Sequence, residues 1–507
     1  MRLLDLPCEL LDQIINDTLP EGFEAFALTC KAVYSRTRSQ TLRHHNLKSR
    51  WSHSNVVSIF PVLEEFARDP LAASYIKVLQ FEGMVAGYHE DIMENPEAVK
   101  RLRDMVAESK CLQAVHIDGE TLWEILSVEN EEWMASNIPV PCWSIAFFLS
   151  LLPNLRTLKL PASWPPIPLR YDANQPLPRW AHRLPPGTDP TRAWEVFMDL
   201  IIDRAITQPY REPGLAKLKN IVPLAEPGYD IRVGLQSLEY FLRVPEMRSL
   251  LMVSGVAVDD GYTGIPFQWR NSPGGIFLTR IELAYCCIDA GGISELLFPV
   301  VDLRIFKYSH QTKWHGCQHD WNAGAFIESV ARQCGNTIIE LGITVDDLHG
   351  DIINGAASFF FFPRLRILEM DCLIFRGPAI ESGQRRGLDP YVPPGEKPWT
   401  EEDIPCIGGM VTTSIEEIHL NTDFPEVDHR CLNALLKNIR EQRLTRLHNL
   451  RTFVLRQVNG EEAKPLAERA GVDFEVYITP GPHTEFEATM APAWKREFVA
   501  QVGELLR

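Results

Sequence analysis

The stretch Leu278-Thr279-Arg280-Ile281-Glu282-Leu283, continued by Cys287-Ile288-Asp289-Ala290-Gly291-Gly292-Ile293-Ser294-Glu295-Leu296-Leu297, decides the fold. Leu278, Ile281 and Leu283 are spaced by polar residues, as in a short strand that turns alternate side chains into a core. The Asp-Ala-Gly-Gly segment reads as a turn, and the residues after it carry apolar side chains at helical spacing. The unit is therefore strand, turn, helix.

Working outward, the same apolar-x-x-apolar-x-apolar pattern recurs along the chain. It appears as Leu112/Val115/Ile117, Leu155/Leu158/Leu160, Met247/Leu250/Met252 and Val300/Leu303/Ile305. Later copies are Ile338/Leu341/Ile343, Leu365/Leu368/Met370, Ile415/Ile418/Leu420 and Leu450/Phe453/Leu455, with weaker ones at Tyr75 to Phe81 and Phe474/Val476/Ile478. Phe326 to Ala331 is a helical run ahead of one copy. Repetition of strand, turn and helix is the logic of a stacked repeat array. The region resembles the irregular leucine-rich-repeat domains. The steps range from 22 residues (Ile281 to Leu303) to 92 (Leu158 to Leu250), against ~20–29 in regular arrays. The competing reading of the same strands is an ordinary α/β domain with a parallel sheet. The number of copies on one chain favours the repeat. Proline-dense insertions interrupt it at Pro161 to Pro190, Gln208 to Tyr229 and Gly377 to Cys406, because proline so dense does not fit strands or helix interiors. They read either as loops shaping a substrate pocket or as tolerated insertions. At the end, Trp494, Phe498, Val499, Val502, Leu505 and Leu506 share one helical face, read as a cap over the last repeat.

The 507 residues are 45% hydrophobic and 23% charged, so the chain is globular and long enough for a large core. Lys plus Arg is 50 against 67 for Asp plus Glu, a formal charge of −17. That balance argues against a nucleic-acid or anionic-membrane binder, since both need a basic footprint. No apolar run approaches the ~18 residues of a membrane span, and the acids and proline near Met1 are unlike a signal peptide. The eleven cysteines are odd in number and never in a C-x-x-C pair, which reads as reduced thiols in the cytoplasm or nucleus.

The first fifty residues have their own pattern. Leu6-Pro7-Cys8-Glu9-Leu10-Leu11 starts a helix, with Pro7 in the first turn, Glu9 favourable to the dipole and Leu10, Leu11, Ile14 and Ile15 as an apolar stripe. Leu19-Pro20-Glu21-Gly22 breaks it, and Phe23, Phe26, Cys30-Lys31 and Val33 follow, then a basic stretch from Arg36 to Arg50. The segment Leu6 to Arg38 resembles an F-box, whose pattern is L-P-x-E-L-L-x-x-I-L, a break, and spaced apolar residues ending in C-K. Gly22, Thr29 and Val33 depart from it, standing where an acid, Val and Trp are usual. The resemblance implies docking to a Skp-type adaptor, and through it to a cullin. The docking residues would be Leu6, Pro7, Glu9, Leu10, Leu11, Ile14, Ile15, Phe23, Phe26, Cys30 and Lys31. The alternative is that these helices only cap the solenoid of a scaffold without ligase activity.

Catalytic motifs are missing from the sequence: there is no G-x-S-x-G, G-x-G-x-x-G, phosphate-binding loop or H-E-x-x-H. His310, His315, Cys317 and His319 gather metal-ligand types around Trp314 and Trp321, but without a second pair at finger spacing they read as a loop, so no metal or other cofactor is expected. Phe359 to Phe362 reads as packing. The expected architecture is α/β: a short N-terminal three-helix F-box (residues 1–50), then an irregular leucine-rich-repeat-like solenoid with proline-rich insertions (residues 51–507). The residues between the apolar ones on each strand would line the substrate face. Lys159, Arg280, Glu282, Arg304, Glu340 and His419 are the candidates for binding a protein client. The expected function is a non-enzymatic substrate receptor of a ubiquitin ligase, with no nucleic-acid or membrane partner.

Overall fold

The computed structural model describes residues 6–82, 90–109, 117–135, 142–161, 164, 179–184, 186–211, 213–223, 226–259, 265–271, 274–313, 320–422, 429–458, 460–477 and 492–507. The chain divides into two compact units: unit 1 is residues 1–163, 171–218 and 506–507, and unit 2 is residues 164–170 and 219–505.

Unit 1 opens with α1 (Cys8–Asp17), α2 (Phe23–Ala27) and α3 (Lys31–Trp51). It continues with β1 (His53–Val56), α4 (Ile59–Arg68), β2 (Val78–Phe81), α5 (Glu90–Met93), α6 (Pro96–Ala107), α7 (Gly119–Ala135), α8 (Cys142–Ser150), β3 (Thr157–Lys159) and α9 (Pro190–Thr207). β1, β2 and β3 pair in parallel. Every side chain of α8 is buried except that of Ser150 at its end, as expected of a helix apolar all round. Its first N–H groups are satisfied by the buried Glu129 carboxylate, which accepts from Trp143 N (3.0 Å), Ser144 N (2.9 Å) and Ser144 Oγ (3.0 Å). Burial nonetheless pushes the Glu129 carboxyl up to about 7.

Unit 2 contains β4 (Asn220–Val222), β5 (Val233–Gly234), α10 (Glu239–Leu242), β6 (Ser249–Val253), β7 (Gly255–Ala257), β8 (Arg280–Ile288), α11 (Ala290–Leu297), β9 (Ile305–Gln311), α12 (Ala323–Cys334) and β10 (Glu340–Asp347). Then come β11 (Ile367–Asp371), α13 (Ile407–Met410), β12 (Glu417–Asn421), α14 (His429–Leu435), α15 (Ile439–Thr445), β13 (Thr452–Val458), α16 (Lys464–Ala470), β14 (Asp473–Tyr477) and α17 (Ala493–Leu505). The sheet order is β4-β6-β8-β9-β10-β11-β12-β13-β14, with β7 also paired to β8 and β5 to β7, and every one of these pairings is parallel. Ile281, Leu283, Leu341, Ile343, Leu368, Met370, Ile418 and Leu420 are all buried. Nearly every second residue thus feeds one face of the sheet, which the crossover helices cover.

The α/β class holds, but the expected F-box-plus-solenoid architecture is corrected. The strands build open parallel sheets, with helices in several of the crossovers. The pattern that suggested repeats is that of any buried parallel strand, and it fixes no repeat length. A free-standing three-helix module is not formed either. α3 runs past residue 50 and is tied into unit 1 by His44 Nδ1 to Tyr75 Oη (2.9 Å), by Arg43 on Asp69 (2.9 Å) and by Trp51 against Phe66. Three short helices bury too little surface to stand alone.

The closing helix has the apolar face that its sequence predicts, in another place. Trp494 and Phe498 are buried against Leu251, Val253, Ala284 and Tyr285 of β6 and β8, with Val499, Val502 and Leu505 beside them. α17 therefore crosses the face of the sheet and does not cap β14. Gly377 to Cys406 is a loop with turns of 3-10 helix at Ile380–Ser382 and Glu401–Asp403, whereas most of Pro161 to Pro190 lies outside the described residues. Among the described residues no helix is long and apolar enough to cross a membrane.

Two outcomes are expected. Phe498→Ala should cost about 3–5 kcal/mol in urea denaturation, the range for a buried phenylalanine; a loss below about 1 kcal/mol would mean α17 is not docked. The carboxyl of Glu129 is higher in the folded chain than its ordinary value of 4.5. Its contribution is therefore fully present below about 4.5 and lost as pH rises through about 7. The Tm of wild type minus that of Glu129→Gln should fall across that window.

Candidate protein-binding surfaces

The N-terminal helices divide the residues singled out for adaptor docking into two sets. Leu11, Ile15 and Phe23 are buried together, with Leu19 and Phe26 packed against them. They form the private core of the segment. Pro7, Glu9, Cys30 and Lys31 are exposed, while Leu6 and Ile14 are half-buried. Leu10 is 47% exposed, one residue before buried Leu11. Leu10 and Ile14 lie four apart and so share one helical row. Two further apolar residues of this segment stand outside the expected docking set: Tyr34, which the sequence places in the second apolar set, at 54% exposure, and Leu28, which it passes over, at 76%. For Leu28 the signal was its place at the end of α2, a helix of five residues that is too short to bury both of its sides.

Glu21, in the turn between α1 and α2, holds this segment to the body of unit 1. Its carboxylate meets Arg156 Nη2 (2.7 Å), Lys217 Nζ (3.2 Å) and Lys77 Nζ (3.9 Å). Partial burial works against its charge, but Lys217 and Arg156 outweigh it and hold the carboxyl below its ordinary value.

The second surface is the sheet face of unit 2, where Arg280, Glu282 and Glu340 were expected to meet a client. The structure brings these three together, beneath α17. Arg280 Nη1 bonds Glu282 (2.6 Å) and Gln501 of α17. Glu340 pairs with Lys307 Nζ (3.4 Å), which also reaches Glu497 of α17 (2.9 Å). Glu369 accepts from the first N–H groups of α17, Ala493 N (2.7 Å) and Trp494 N (3.0 Å), and meets Arg456 at 3.4 Å. Lys495, 1% exposed, pairs with Asp346 and lies 3.8 Å from the Tyr285 ring centroid. Burial opposes the charge on Lys495, yet Asp346 and Tyr285 raise its pKa above the ordinary value. Burial pushes Glu282 up.

The other three candidates lie elsewhere. Lys159 is half-buried at the end of β3. His419, on β12, is largely buried, with Nε2 3.4 Å from Glu417; burial and Arg456 push its pKa down. Arg304 stands outside β9, paired with Asp302 at 3.0 Å. The reading missed Lys307 because the copy in β9 was registered three residues early. Leu303/Phe306/Tyr308 fits the same pattern and is the buried set, which puts Lys307 on the face and Arg304 off it.

Of the histidine cluster, His315, Cys317 and His319 lie outside the described residues, as do Trp314, Leu112 and Val115. His310 is buried, stacked on Trp321 (4.3 Å) and bonded through Nδ1 to Tyr308 Oη (2.8 Å); burial pushes it down to about 3. Among the described residues one group brings metal-ligating atoms close, Glu24, His44 and His45, within 4.8 Å. There Lys48 Nζ already sits 2.7 Å from Glu24 and opposes a second cation. Phe359 and Phe362 of the four-phenylalanine run are buried, whereas Phe360 and Phe361 are exposed. Unit 1 also has a cleft of about 560 Å³ lined by Phe66, Met105, Leu151 and Ile201 with Arg101, Asp104 and Arg204.

No protein-family model and no curated protein matches this chain.

The Glu21 anchor gives a signed expectation. Its folded pKa is depressed, so its contribution is present above about 4.5 and lost as pH falls through the folded value. The Tm of wild type should exceed that of Glu21→Gln at pH 7, and the gap should close in acid. A gap independent of pH would remove the ionic anchor from the account.

Proposed function

We propose that the chain is a non-catalytic receptor subunit whose N-terminal helices dock a Skp-type adaptor, through it a cullin-based ubiquitin ligase, while the sheet units hold a protein client. The observation that carries this reading is the exposure of Leu10, beside Leu28 and Tyr34, on the segment whose sequence resembles an F-box. Each leucine buried in a partner groove stabilises a complex by about 1.5–3 kcal/mol, and the internal core of Leu11, Ile15 and Phe23 stays intact while that happens. The docking set is then Pro7, Glu9, Leu10 and Ile14 with Leu28, Tyr34, Cys30 and Lys31. The described cysteines are free thiols, in keeping with work in the cytoplasm or nucleus.

A second reading has the helices serving only as a fixed part of unit 1, in a scaffold without ligase activity. The ties of Glu21 and His44 favour it. Co-purification with a Skp-type adaptor separates the two. Wild type should capture the adaptor, and Leu10→Asp with Leu28→Asp should lose it with an unchanged circular dichroism spectrum. No capture by wild type would leave the scaffold reading standing.

A further inference from the structure

The residues before eight of the strands of unit 2 fall into a single row. Lys219, Arg248, Thr279, Arg304, Ile339, Arg366, Glu416 and Arg451 precede β4, β6, β8, β9, β10, β11, β12 and β13. The row is continuous in hydrogen bonds from each N–H to the preceding carbonyl: Arg248 to Lys219 (2.8 Å), Thr279 to Arg248 (2.9 Å), Arg304 to Thr279 (3.0 Å), then Ile339, Arg366, Glu416 and Arg451 at 2.8 Å each. At ~4.8 Å per strand its seven steps add up to roughly 34 Å, the length of about ten extended residues.

Five of the eight positions are basic in a chain of net charge −17. Lys219, Arg248, Arg304 and Arg366 are 38–56% exposed. The segments that enter these strands also carry Phe277, Phe298, Val301, Phe360, Phe361 and Leu444, each at least half exposed. Arg248 lies 6.0 Å from the Phe277 ring and Arg446 5.9 Å from Phe360. Exposed apolar side chains beside guanidinium groups are the composition of a protein-binding strip.

We propose that this rim binds an extended client segment in which acidic residues alternate with apolar ones. The proposal rests on reading the chain as a client-binding subunit, and it names the class of client. Two observations select this occupant. Acids are interspersed in the rim: Asp302 on Arg304, Glu246 on Arg248, and Glu416 in two-pronged contact with Arg366 (2.7 and 2.8 Å). Those carboxylates work against a continuous polyanion such as a membrane or a nucleic-acid backbone, whereas a peptide can space its acids onto the basic positions and set apolar residues between them. Unit 1, taken by itself, shows what such a row holds. There Lys77 and Arg156 are joined in the same way, Arg156 N to Lys77 O at 2.8 Å. Their occupant is Glu21 from Leu19-Pro20-Glu21-Gly22-Phe23, an acid between apolar residues. Arginine suits the role because its planar fork matches a carboxylate.

The test is fluorescence anisotropy with the full chain and a labelled 12-residue peptide repeating Glu-Leu-Glu-Ser, beside a Lys-Leu-Lys-Ser counterpart. Vesicles of phosphatidylcholine and phosphatidylserine at 7:3 are a third probe. The acidic peptide should bind at least tenfold more tightly than the basic one. Arg304→Glu with Arg366→Glu should reverse that preference, and Phe298→Ser with Phe361→Ser, which touches no ion pair, should weaken binding of the acidic peptide severalfold. Both variants should keep the wild-type circular dichroism spectrum. Leu10→Asp with Leu28→Asp should leave peptide binding unchanged, so failure of adaptor docking and failure of the rim are separate results. Equal binding of both peptides, or none, overturns the proposal, as does peptide binding that ignores both rim variants. Tighter binding to the vesicles than to the peptide overturns it in favour of a lipid surface.

Discussion

Parallel pairing without stagger is the constraint on which the rest of unit 2 depends. Glu340 is level with Ile305 and Ile367, and Glu417 with Ile367 and Thr452. Each strand enters the sheet at one edge and leaves at the other, and each crossover must return along a face. One face is thereby filled by helices, the entry turns are collected into a line, and the opposite face is left for whatever segment remains. Because side chains alternate with a period of two, one slipped residue would exchange the buried apolar groups with the residues between them, among them Glu282, Lys307 and Glu369. Register is thus held by the burial of Leu283, Ile343, Met370 and Leu420.

The segment that remains is α17, and its docking decides which surfaces are open. The face it covers carries Glu282, Lys307, Glu369 and Arg456, and α17 itself brings Lys495; all are nearly inaccessible. Withdrawing such charges from water costs several kcal/mol each, and their mutual attraction offsets this only when the partners are well placed. Lys307 between Glu340 and Glu497, and Glu369 between Arg456 and the helix N–H groups, meet that condition. Removing one partner leaves an uncompensated charge, so the helix and face fit one another in one arrangement. A client cannot share those side chains with α17. The rim, whose ion pairs keep access to water, has no such occupant among the described residues.

The strands were legible in the sequence because burying a parallel strand requires the spacing apolar-x-x-apolar-x-apolar. β3, β6, β8, β10, β11, β12 and β13 all fall on such copies. The same requirement explains the failures. The short strands β1, β4, β5 and β7 fall on no copy that the sequence singled out. In β9 two overlapping matches exist, and the wrong one moved Arg304 onto the face and hid Lys307. A local pattern records that a strand is buried and not which segment buries it, so the helical runs at α11, α12 and α17 were readable but the faces they pack on were not. The apolar face of α17 was visible in Trp494 and Phe498; its destination was not, because Leu251, Val253 and Ala284 lie more than 200 residues away in the chain. At the N-terminus, periodicity gave the stripe of α1 but could not assign Leu10 to water and Leu11 to the core.

That assignment turns on a step of one residue and has an energetic consequence. A helix of ten residues such as α1 is marginal in water, and its stability comes from packing Leu11 and Ile15 on Phe23. A segment that had to fold on contact with a partner would surrender several kcal/mol of the interaction to ordering. Here the ordering is supplied within unit 1: Glu21 fixes the turn, and His44 and Arg43 fix α3. The residues left facing water are presented already in place, and preorganisation of that kind raises affinity without adding contacts. The loss of an independent N-terminal module therefore does not by itself remove Leu10 from reach of a partner. The ties that fasten the helices to the body of the protein are what hold its exposed row rigid.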